Sequence, residues 1–294
     1  MRLATRGSEQ ARAQSEAVAA KVSERTGIPV VLVFIDTMGD LIRDRSIAEI
    51  GGRGVFVKEV QRAVLGGHAD FAVHSAKDLP SSFHAEGLRL ACVPTRGDAR
   101  DGIVGSTVAD LPKGATVATG SQRRQSQLAH RRPDLRFVGL RGNIPTRVAK
   151  ADQPGIDASL VAVAGARWVG LEHRLAECFS VDDMVPQIGQ GALAIECRTD
   201  DAETAEVLAL LEDEHSRRAV DAERAFLAHL GGGCELPVGA HAQIDLAGTI
   251  HITGVIASPD GRDYFRASRS GDDVTIGAQL AAFLLRDGAA RLLD

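Results

Sequence analysis

The sequence predicts an α/β protein of two or three domains, built on largely parallel sheets that are covered by helices. Short apolar runs alternate with amphipathic stretches over most of the chain, a pattern typical of strands joined through helices. Hydrophobic residues make up 44% of the 294 residues but aromatic residues only 4%. The core must therefore consist of Val, Leu, Ile and Ala, as in buried parallel strands. A chain of this length exceeds what one hydrophobic core usually serves.

The strands and helices are predicted in a regular order. Strands are compact apolar runs between turn formers, at residues 3–5, 30–35, 71–73, 116–118, 137–140 and 160–164. Helices are expected between them, over residues 9–24 and 56–65 and from about Ser121, Ile144 and Ala166. The remainder contains a helix, two strand patterns and a final helix, at residues 217–230, 242–257, 264–268 and 274–293. That last region predicts a small α+β domain of antiparallel strands.

Two stretches rich in charged and turn-forming residues, 94–102 and 186–191, are typical of crossings between domains. We therefore expect one α/β domain from residues 1–94 with 191–212, and a second from residues 95–190. Residues 213–294 form the expected α+β domain.

The four cysteines, Cys92, Cys178, Cys197 and Cys234, are far apart in the sequence and form no Cys-x-x-Cys pair. No paired spacing of cysteine and histidine suggests zinc, and we expect no metal. Neither a signal peptide nor an apolar run long enough to cross a bilayer is evident. We therefore expect a cytoplasmic protein with free thiols and no membrane partner.

Basic residues are concentrated in one segment of an otherwise acidic chain. The net charge is −5, yet residues 121–150 contain eight basic residues and one aspartate, a local charge of +7. Such a field attracts anions. Nucleic acid is one candidate, but Phe137 is the only aromatic residue in the segment, and single-strand binders normally stack bases on several. We therefore favour a small polyanion and expect no nucleic-acid partner.

Polar residues directly follow several predicted strands. Lys77 and Asp78 come just after the strand at residues 71–73, at the carboxyl edge where open parallel sheets bind ligands. An exposed ion pair of little energetic value is the alternative interpretation. The segment Thr119-Gly120-Ser121-Gln122-Arg123-Arg124 joins another strand to a helix. The amino terminus of that helix and its guanidinium groups suit carboxylates.

Cys234 ends the run Gly231-Gly232-Gly233-Cys234 behind a predicted helix. Glycine tolerates positive φ and has no Cβ, so the run ends the helix and leaves room beside the sulfur. A lone loop cysteine is often only a small buried hydrophobe.

Two further arginine turns, at residues 6–8 and 141–147, also follow strands. A thiol, fixed cations and one candidate proton-transfer carboxylate suggest covalent chemistry on a polyanionic substrate.

Seven motifs, taken together, resemble those of one enzyme family. They are Ala4-Thr5-Arg6-Gly7-Ser8, Phe56-Val57-Lys58-Glu59, His74 to Pro80, Gln122-Arg123-Arg124-Gln125, Leu140-Arg141-Gly142-Asn143, Ile188 to Ala192 with Ile195 to Arg198, and Gly232-Gly233-Cys234. In this order and spacing they resemble the hydroxymethylbilane synthases, also called porphobilinogen deaminases, from Met1 into the C-terminal domain.

The resemblance implies two α/β domains similar to periplasmic binding proteins, with a cleft between them, and a small C-terminal α+β domain. It implies a dipyrromethane cofactor joined to Cys234 through a thioether. The family condenses four porphobilinogen molecules head to tail, with loss of ammonia, and hydrolyses off hydroxymethylbilane. That product passes to uroporphyrinogen-III synthase in tetrapyrrole and haem biosynthesis. The family leans towards monomers.

The resemblance also implies roles for single residues. Asp78 is the expected catalytic acid and base, which protonates the leaving amine and later accepts the ring proton. The expected cofactor-binding residues are Cys234, Lys77, Ser121, Arg123, Arg124 and Arg141. The expected substrate-binding residues are Arg6, Ser8, Arg147 and Arg167.

Arg167 departs from the family pattern, because Trp168 occupies the usual arginine position. A shift of one residue turns a side chain by about 100° on a helix. Either Arg167 takes over the carboxylate, or that contact is lost. A non-catalytic binding protein for a polycarboxylate is the alternative function, since a fold alone does not fix function. Only the enzyme needs Asp78 and the attachment at Cys234.

Overall fold

In the computed structural model, the described residues are 1–36, 57–80, 85–231 and 237–292. This part of the chain contains thirteen strands and eight α-helices. The strands are β1 (Arg2–Arg6), β2 (Val31–Ile35), β3 (Phe71–Ser75), β4 (Leu88–Cys92), β5 (Asp101–Val104), β6 (Thr116–Ala118), β7 (Arg136–Val138), β8 (Ala158–Ala162), β9 (Leu175–Cys178), β10 (Leu193–Arg198), β11 (Val238–Ile244), β12 (Ile250–Ala257) and β13 (Tyr264–Gly271). The helices are α1 (Glu9–Thr26), α2 (Lys58–Leu65), α3 (Gln122–Arg131), α4 (Ile144–Ala149), α5 (Val163–Trp168), α6 (Ala202–Ala209), α7 (Glu214–His229) and α8 (Ile276–Arg286). Short 3₁₀ turns occur at Ala76–Asp78, Lys150–Asp152, Glu172–Arg174 and Ala289–Leu292.

By its internal contacts the chain divides into two units, and the first comprises Met1–Arg96 and Ala192–Arg217. Its five-stranded sheet has the order β2-β1-β3-β10-β4. The strands β2, β1 and β3 are parallel, whereas β10 runs antiparallel to both of its neighbours. Leu3, Phe71 and Ile195 are fully buried and form the core on one face with α1 and α6.

The second unit comprises Gly97–Gly191 and Arg218–Asp294. One of its sheets has the order β7-β6-β8-β5-β9, with parallel pairing among β7, β6 and β8 and antiparallel pairing at β5. Ile103, Leu160 and Phe179 lie in its buried core.

The same unit contains a small antiparallel sheet, β11-β12-β13, covered by α7 and α8. Phe226 of α7 and Leu280 of α8 pack on Ile252 of β12 in one apolar cluster. This is the α+β region that the sequence predicts. With the two larger sheets it confirms the fold class, an α/β protein with a small C-terminal α+β part.

The prediction of largely parallel sheets is wrong for β4, β5, β9 and β10, which pair antiparallel. Alternation of strand and helix predicts parallel pairing only between successive strand–helix units, and β10 joins β3 after a long excursion of the chain. Strand β5 also begins in the stretch that the sequence assigns to a crossing. It is buried because two arginines of the same unit neutralise Asp101, its one charged residue.

Side-chain caps explain where three helices begin. Ser8 accepts a hydrogen bond from Ala11 N–H at the start of α1, and Ser121 accepts one from Arg124 N–H at the start of α3. Asn143 does the same at the start of α4. Each satisfies an N–H group that has no partner within the helix. None of the helices in the described ranges is long and apolar enough to span a bilayer.

Candidate active site

In the first unit, the predicted site residues lie together at the carboxyl ends of two strands. Arg6 is the last residue of β1 and Ser8 caps α1, while Lys77 and Asp78 form the turn after β3. Because β1 and β3 are parallel neighbours, these residues share one edge of the sheet.

In the second unit, five predicted residues occupy the corresponding edge. Ser121, Arg123 and Arg124 follow β6, and Arg141 and Arg147 follow β7. The strands β6 and β7 are parallel neighbours, so their carboxyl ends lie side by side. The sequence therefore located a strand edge rich in cations in each unit.

The turn that carries Lys77 and Asp78 is fixed by buried residues on both sides. Ala76 and Leu79 are only 2% and 3% exposed. Ala76 N–H donates to Ala192 O at 2.9 Å, which ties the turn to the start of β10. Lys77 and Asp78 themselves are half-buried. The Asp78 carboxylate is thus held on a fixed backbone at a position that a ligand can reach.

Two residues at the end of β3 add side-chain contacts just before this turn. Ser75 Oγ accepts a hydrogen bond from Gln14 Nε2 of α1 at 3.3 Å. Buried His74 has its Nε2 3.0 Å from Oε2 of Glu196, a fully buried residue on β10. Gln61 of α2 donates to the same carboxylate at 2.9 Å. Through these two contacts Glu196 of β10 links β3 and α2.

Arg123 and Arg124 surround one buried carboxylate, that of Asp101 on β5. Arg123 donates to both carboxylate oxygens, at 2.7 and 3.1 Å, and Arg124 Nε donates at 2.8 Å. Gln190 Nε2 donates to the same carboxylate at 2.9 Å. All four side chains belong to residues that are at most 5% exposed. We call these four residues the Asp101 cluster.

Charge–charge attraction keeps the Asp101 cluster ionised. Burial opposes ionisation of Asp101, but the guanidinium groups of Arg123 and Arg124 lower its pKa far below the ordinary carboxyl value. Burial lowers the pKa of Arg124, against the raising effect of Asp101. Arginine still stays protonated at physiological pH. The cluster therefore holds two cations and one anion.

A close approach of two loops shapes the edge of the second unit. A Cβ at Gly120 would lie 2.4 Å from Leu140 O, so glycine is required for the end of β6 to come this near to the chain after β7. Ser121 then begins α3, and its cap leaves the other N–H groups of the first helical turn at the sheet edge. That edge offers donors to an anion.

Arg141 and Arg147 lie on the loop and helix that follow β7. Arg141 is exposed and Arg147 is half-buried. Arg147 Nε donates to Gly142 O at 2.8 Å, which holds the loop against the first turns of α4. Both guanidinium groups thus stand on one short loop–helix segment.

Arg167, on α5, is bound to two carboxylates of its own unit. Its Nη2 lies 2.7 Å from Glu172 Oε1 and its Nη1 lies 3.2 Å from Asp98 Oδ2. Its side chain is 43% exposed, and Trp168 beside it is half-buried. The predicted contact of Arg167 with a substrate carboxylate stays a prediction, and it requires these pairs to rearrange.

The basic segment at residues 121–150 is partly neutralised by acidic residues. Arg131 Nη2 lies 3.1 Å from Asp183 Oδ1, and Arg132 Nε lies 2.8 Å from Asp134 Oδ1. Asp101 offsets a further charge inside the unit. Two of these three partners lie outside the segment, so the local charge of +7 in the sequence overstates the field around it.

Cys234 lies outside the described residues, and its role as the attachment point stays a prediction. The sequence interpretation missed Asp101, Gln190 and Glu196 as parts of the two sites. Gln190 and Glu196 stand within the motifs that carry the family resemblance but had no role there. For Asp101 the sequence offered one signal, a charged residue separated by a single glycine from the apolar pair Ile103-Val104.

Two family models match the chain. One is described as "Porphobilinogen deaminase, dipyromethane cofactor binding domain" and matches residues 1–206. The other is described as "Porphobilinogen deaminase, C-terminal domain" and matches residues 218–286. Together they cover both strand-edge sites and the small antiparallel sheet.

Curated relatives match the chain over its whole length. A porphobilinogen deaminase from Syntrophotalea carbinolica is 44% identical over 300 residues, covering 100% of this chain and 95% of the relative. One from Syntrophobacter fumaroxidans is 43% identical over 301 residues, covering 100% of this chain and 97% of the relative.

Among solved structures, a periplasmic substrate-binding protein of an ABC transporter from Coxiella burnetii has a TM-score of 0.44 and 12% identity, over 72% of this chain and 91% of that one. A TM-score of this size adds nothing to the sheet topology described above.

Proposed function

The chain belongs to the porphobilinogen deaminase family, and we propose that it joins four porphobilinogen molecules head to tail on a dipyrromethane primer. Hydrolysis then releases hydroxymethylbilane. One observation carries this proposal. Asp78 stands on a fixed turn at a sheet edge that also holds Arg6, Ser8 and Lys77, within the residues matched by the dipyrromethane-binding model of the family.

The residues of the second unit fit a group rich in carboxylates. Each pyrrole of the cofactor carries an acetate and a propionate, and guanidinium groups match carboxylates geometrically. Asp101 supplies one negative charge against the two positive charges of Arg123 and Arg124. Arg123 Nε is buried and has no hydrogen-bond partner among the described residues. Donors and charge therefore remain for an external carboxylate.

When bound, the dipyrromethane supplies a free pyrrole α-carbon to which the first substrate carbon bonds. We assign its attachment to Cys234 through a thioether, because a thiol traps a carbon electrophile readily. Lys77, Ser121, Arg123, Arg124 and Arg141 are the proposed partners of its carboxylates. Arg6, Ser8, Arg147 and Arg167 are the proposed partners of the substrate carboxylates.

Asp78 is the proposed proton-transfer group in each condensation. It donates a proton to the amino group of porphobilinogen, which leaves as ammonia while the aminomethyl carbon bonds to the pyrrole α-carbon. Asp78 then accepts the proton that the α-carbon loses, and this returns the carboxylic acid to its starting state. A general acid and base must reach both groups. The half-buried position of Asp78 on an anchored turn supports this role.

We further propose three domains, residues 1–94 with 191–212, residues 95–190 and residues 213–294. The two family models leave a gap between residues 206 and 218, which supports a boundary there. The enzyme is proposed to act as a cytoplasmic monomer. Its product is a linear tetrapyrrole with a reactive hydroxymethyl group. We propose that uroporphyrinogen-III synthase consumes this product.

Intact mass spectrometry tests the function. Wild-type protein from a host that makes porphobilinogen should carry a mass gain of two pyrrole units, give colour with a pyrrole-specific reagent and consume porphobilinogen. Cys234→Ser should show the bare chain mass and no turnover. A wild-type chain without the mass gain that binds polycarboxylates but consumes no porphobilinogen would identify a binding protein instead.

A further inference from the structure

The Asp101 cluster uses its donors in a way that limits what Arg123 and Arg124 can still bind. Each guanidinium has five N–H donors. Arg123 makes three described bonds, two to Asp101 and one to Val185 O. Arg124 also makes three, to Asp101, Leu160 O and Gln190 Oε1. Six of ten donors are thus engaged within the unit, and four remain.

The engaged donors include one planar edge of Arg123. Its Nη1 and Nη2 already face both oxygens of Asp101, so that edge cannot hold a second carboxylate bidentately. On Arg124, Nε donates to Asp101 and Nη2 donates to Gln190, so the edge formed by Nε and Nη2 is also engaged. Two donors are left on each arginine, and on Arg123 they are the buried Nε and the second N–H group of Nη2.

The charges of the Asp101 cluster also favour the binding of one carboxylate only. Among the described residues, Asp101 is the carboxylate that binds these two guanidinium groups. Two buried cations with one anion leave one positive charge unmatched. Burying an unmatched charge is costly, so the cluster favours uptake of one further anion and offers no electrostatic reason to take two.

On the premise of the proposed function, we infer that Asp101 is a positioning residue that turns Arg123 and Arg124 into one binding site for a single carboxylate of the pyrrole chain. Asp101 holds the guanidinium groups against their mutual repulsion before the primer arrives. Gln190, bound to Asp101 and to two backbone carbonyls, of Ala99 and Arg100, fixes the carboxylate in turn. Without Asp101, two buried like charges would stand beside each other.

The test follows primer loading on the full chain, produced in a host that cannot make porphobilinogen. Intact mass is recorded over time after porphobilinogen is added. Asp101→Asn keeps the side-chain shape but removes the charge, and we expect loading to slow by about tenfold or more. Asp101→Glu restores the charge and should recover part of the rate. The control is Ile103→Ala, on the same strand, which weakens the core through a cavity without changing any charge.

A second measurement keeps the inference testable if Asp101→Asn folds poorly. In the Cys234→Ser background, melting temperature is compared in sodium acetate and sodium chloride at equal ionic strength. The parent should be stabilised by acetate, since one anion completes the cluster. Arg124→Gln leaves one cation with one anion, so it should lose the acetate response while it remains folded.

The inference is overturned if Asp101→Asn loads primer at the wild-type rate. The same holds if Ile103→Ala slows loading as much as Asp101→Asn does when the two variants have the same melting temperature. It is also overturned if Arg124→Gln keeps the full acetate response. A wild-type protein that gains no mass would instead contradict the proposed function, so the two failures are distinguishable.

Discussion

Two aspartates, Asp78 and Asp101, stand at the two strand-edge sites, and they are held in opposite ways. Asp101 is fully buried and bound by two guanidinium groups and an amide. Asp78 is half-buried on a turn that is anchored through its backbone, by the bond from Ala76 to Ala192. The first has its side chain fixed by charge, and the second has its position fixed by the chain around it.

This difference matches the two tasks proposed. A carboxylate that organises arginines must stay ionised, and the arginines around Asp101 lower its pKa far below the ordinary value. A carboxylate that gives and takes protons must change its charge in every cycle. A salt bridge as tight as that of Asp101 would prevent it. Identical residue types therefore serve as fixed anion and as proton shuttle because their surroundings differ.

The largest effect is expected at Asp78. Asp78→Asn should lower turnover of porphobilinogen by roughly 10²- to 10⁴-fold, the usual contribution of a positioned general acid and base. Folding should be unaffected because the turn is held by backbone contacts. Asp70→Asn is the matched control, since Asp70 precedes the same strand and pairs with Arg2 at the sheet's other edge. Near-normal single-turnover rates in Asp78→Asn would remove this residue from proton transfer.

Replacement of arginines should separate stability from binding in the second unit. Arg123→Leu leaves Asp101 buried with one cation fewer, and the free energy of unfolding should fall by roughly 3 kcal/mol. Arg141→Leu removes an exposed side chain and should leave stability nearly unchanged. Both should slow primer loading. Urea unfolding and intact mass measure the two effects, and equal stability losses in the two variants would contradict the distinction between buried and exposed arginines.

Much of this arrangement could be predicted from short-range patterns. The strand ends, the caps of α1, α3 and α4 and the cations that follow them are local features. Ser8, Ser121 and Asn143 mark helix starts because a side chain acts on an N–H group only a few residues away. Position at the carboxyl end of a parallel strand then placed Lys77, Asp78 and the arginines at ligand-binding edges.

The partners of these residues could not be predicted, because they come from distant parts of the chain. Asp101 meets Arg123 across 22 residues and Gln190 across 89. Glu196 meets Gln61 across 135. A charged residue in a segment of turn formers predicts a surface loop, and only the tertiary structure shows that its charge is neutralised inside. The sequence therefore indicated which groups face a ligand but not which groups hold them in place.

The buried charge of Asp101 also predicts a pH dependence of stability. Its pKa is lower in the folded state than the ordinary value of 3.8, so its contribution is fully present above that value. The contribution is lost as the pH falls through the lower, folded-state pKa. The difference in unfolding free energy between wild type and Asp101→Asn should thus be constant near neutral pH and shrink in acid. Urea unfolding across this range measures it, and a difference that grows in acid would contradict the ionised state of Asp101.

The smallest effects are expected at the two serine caps, which offer a direct comparison of the units. Ser8→Ala and Ser121→Ala should each cost about 1 kcal/mol of stability, because each leaves one N–H group of a first helical turn without its cap. If the serines also bind carboxylates, they should differ in a second measurement. Ser121→Ala should slow primer loading, whereas Ser8→Ala should raise the KM for porphobilinogen with little change in loading. If both variants lose the same stability and change neither primer loading nor the KM for porphobilinogen, the two serines act only as helix caps. The cations alone would then distinguish primer from substrate.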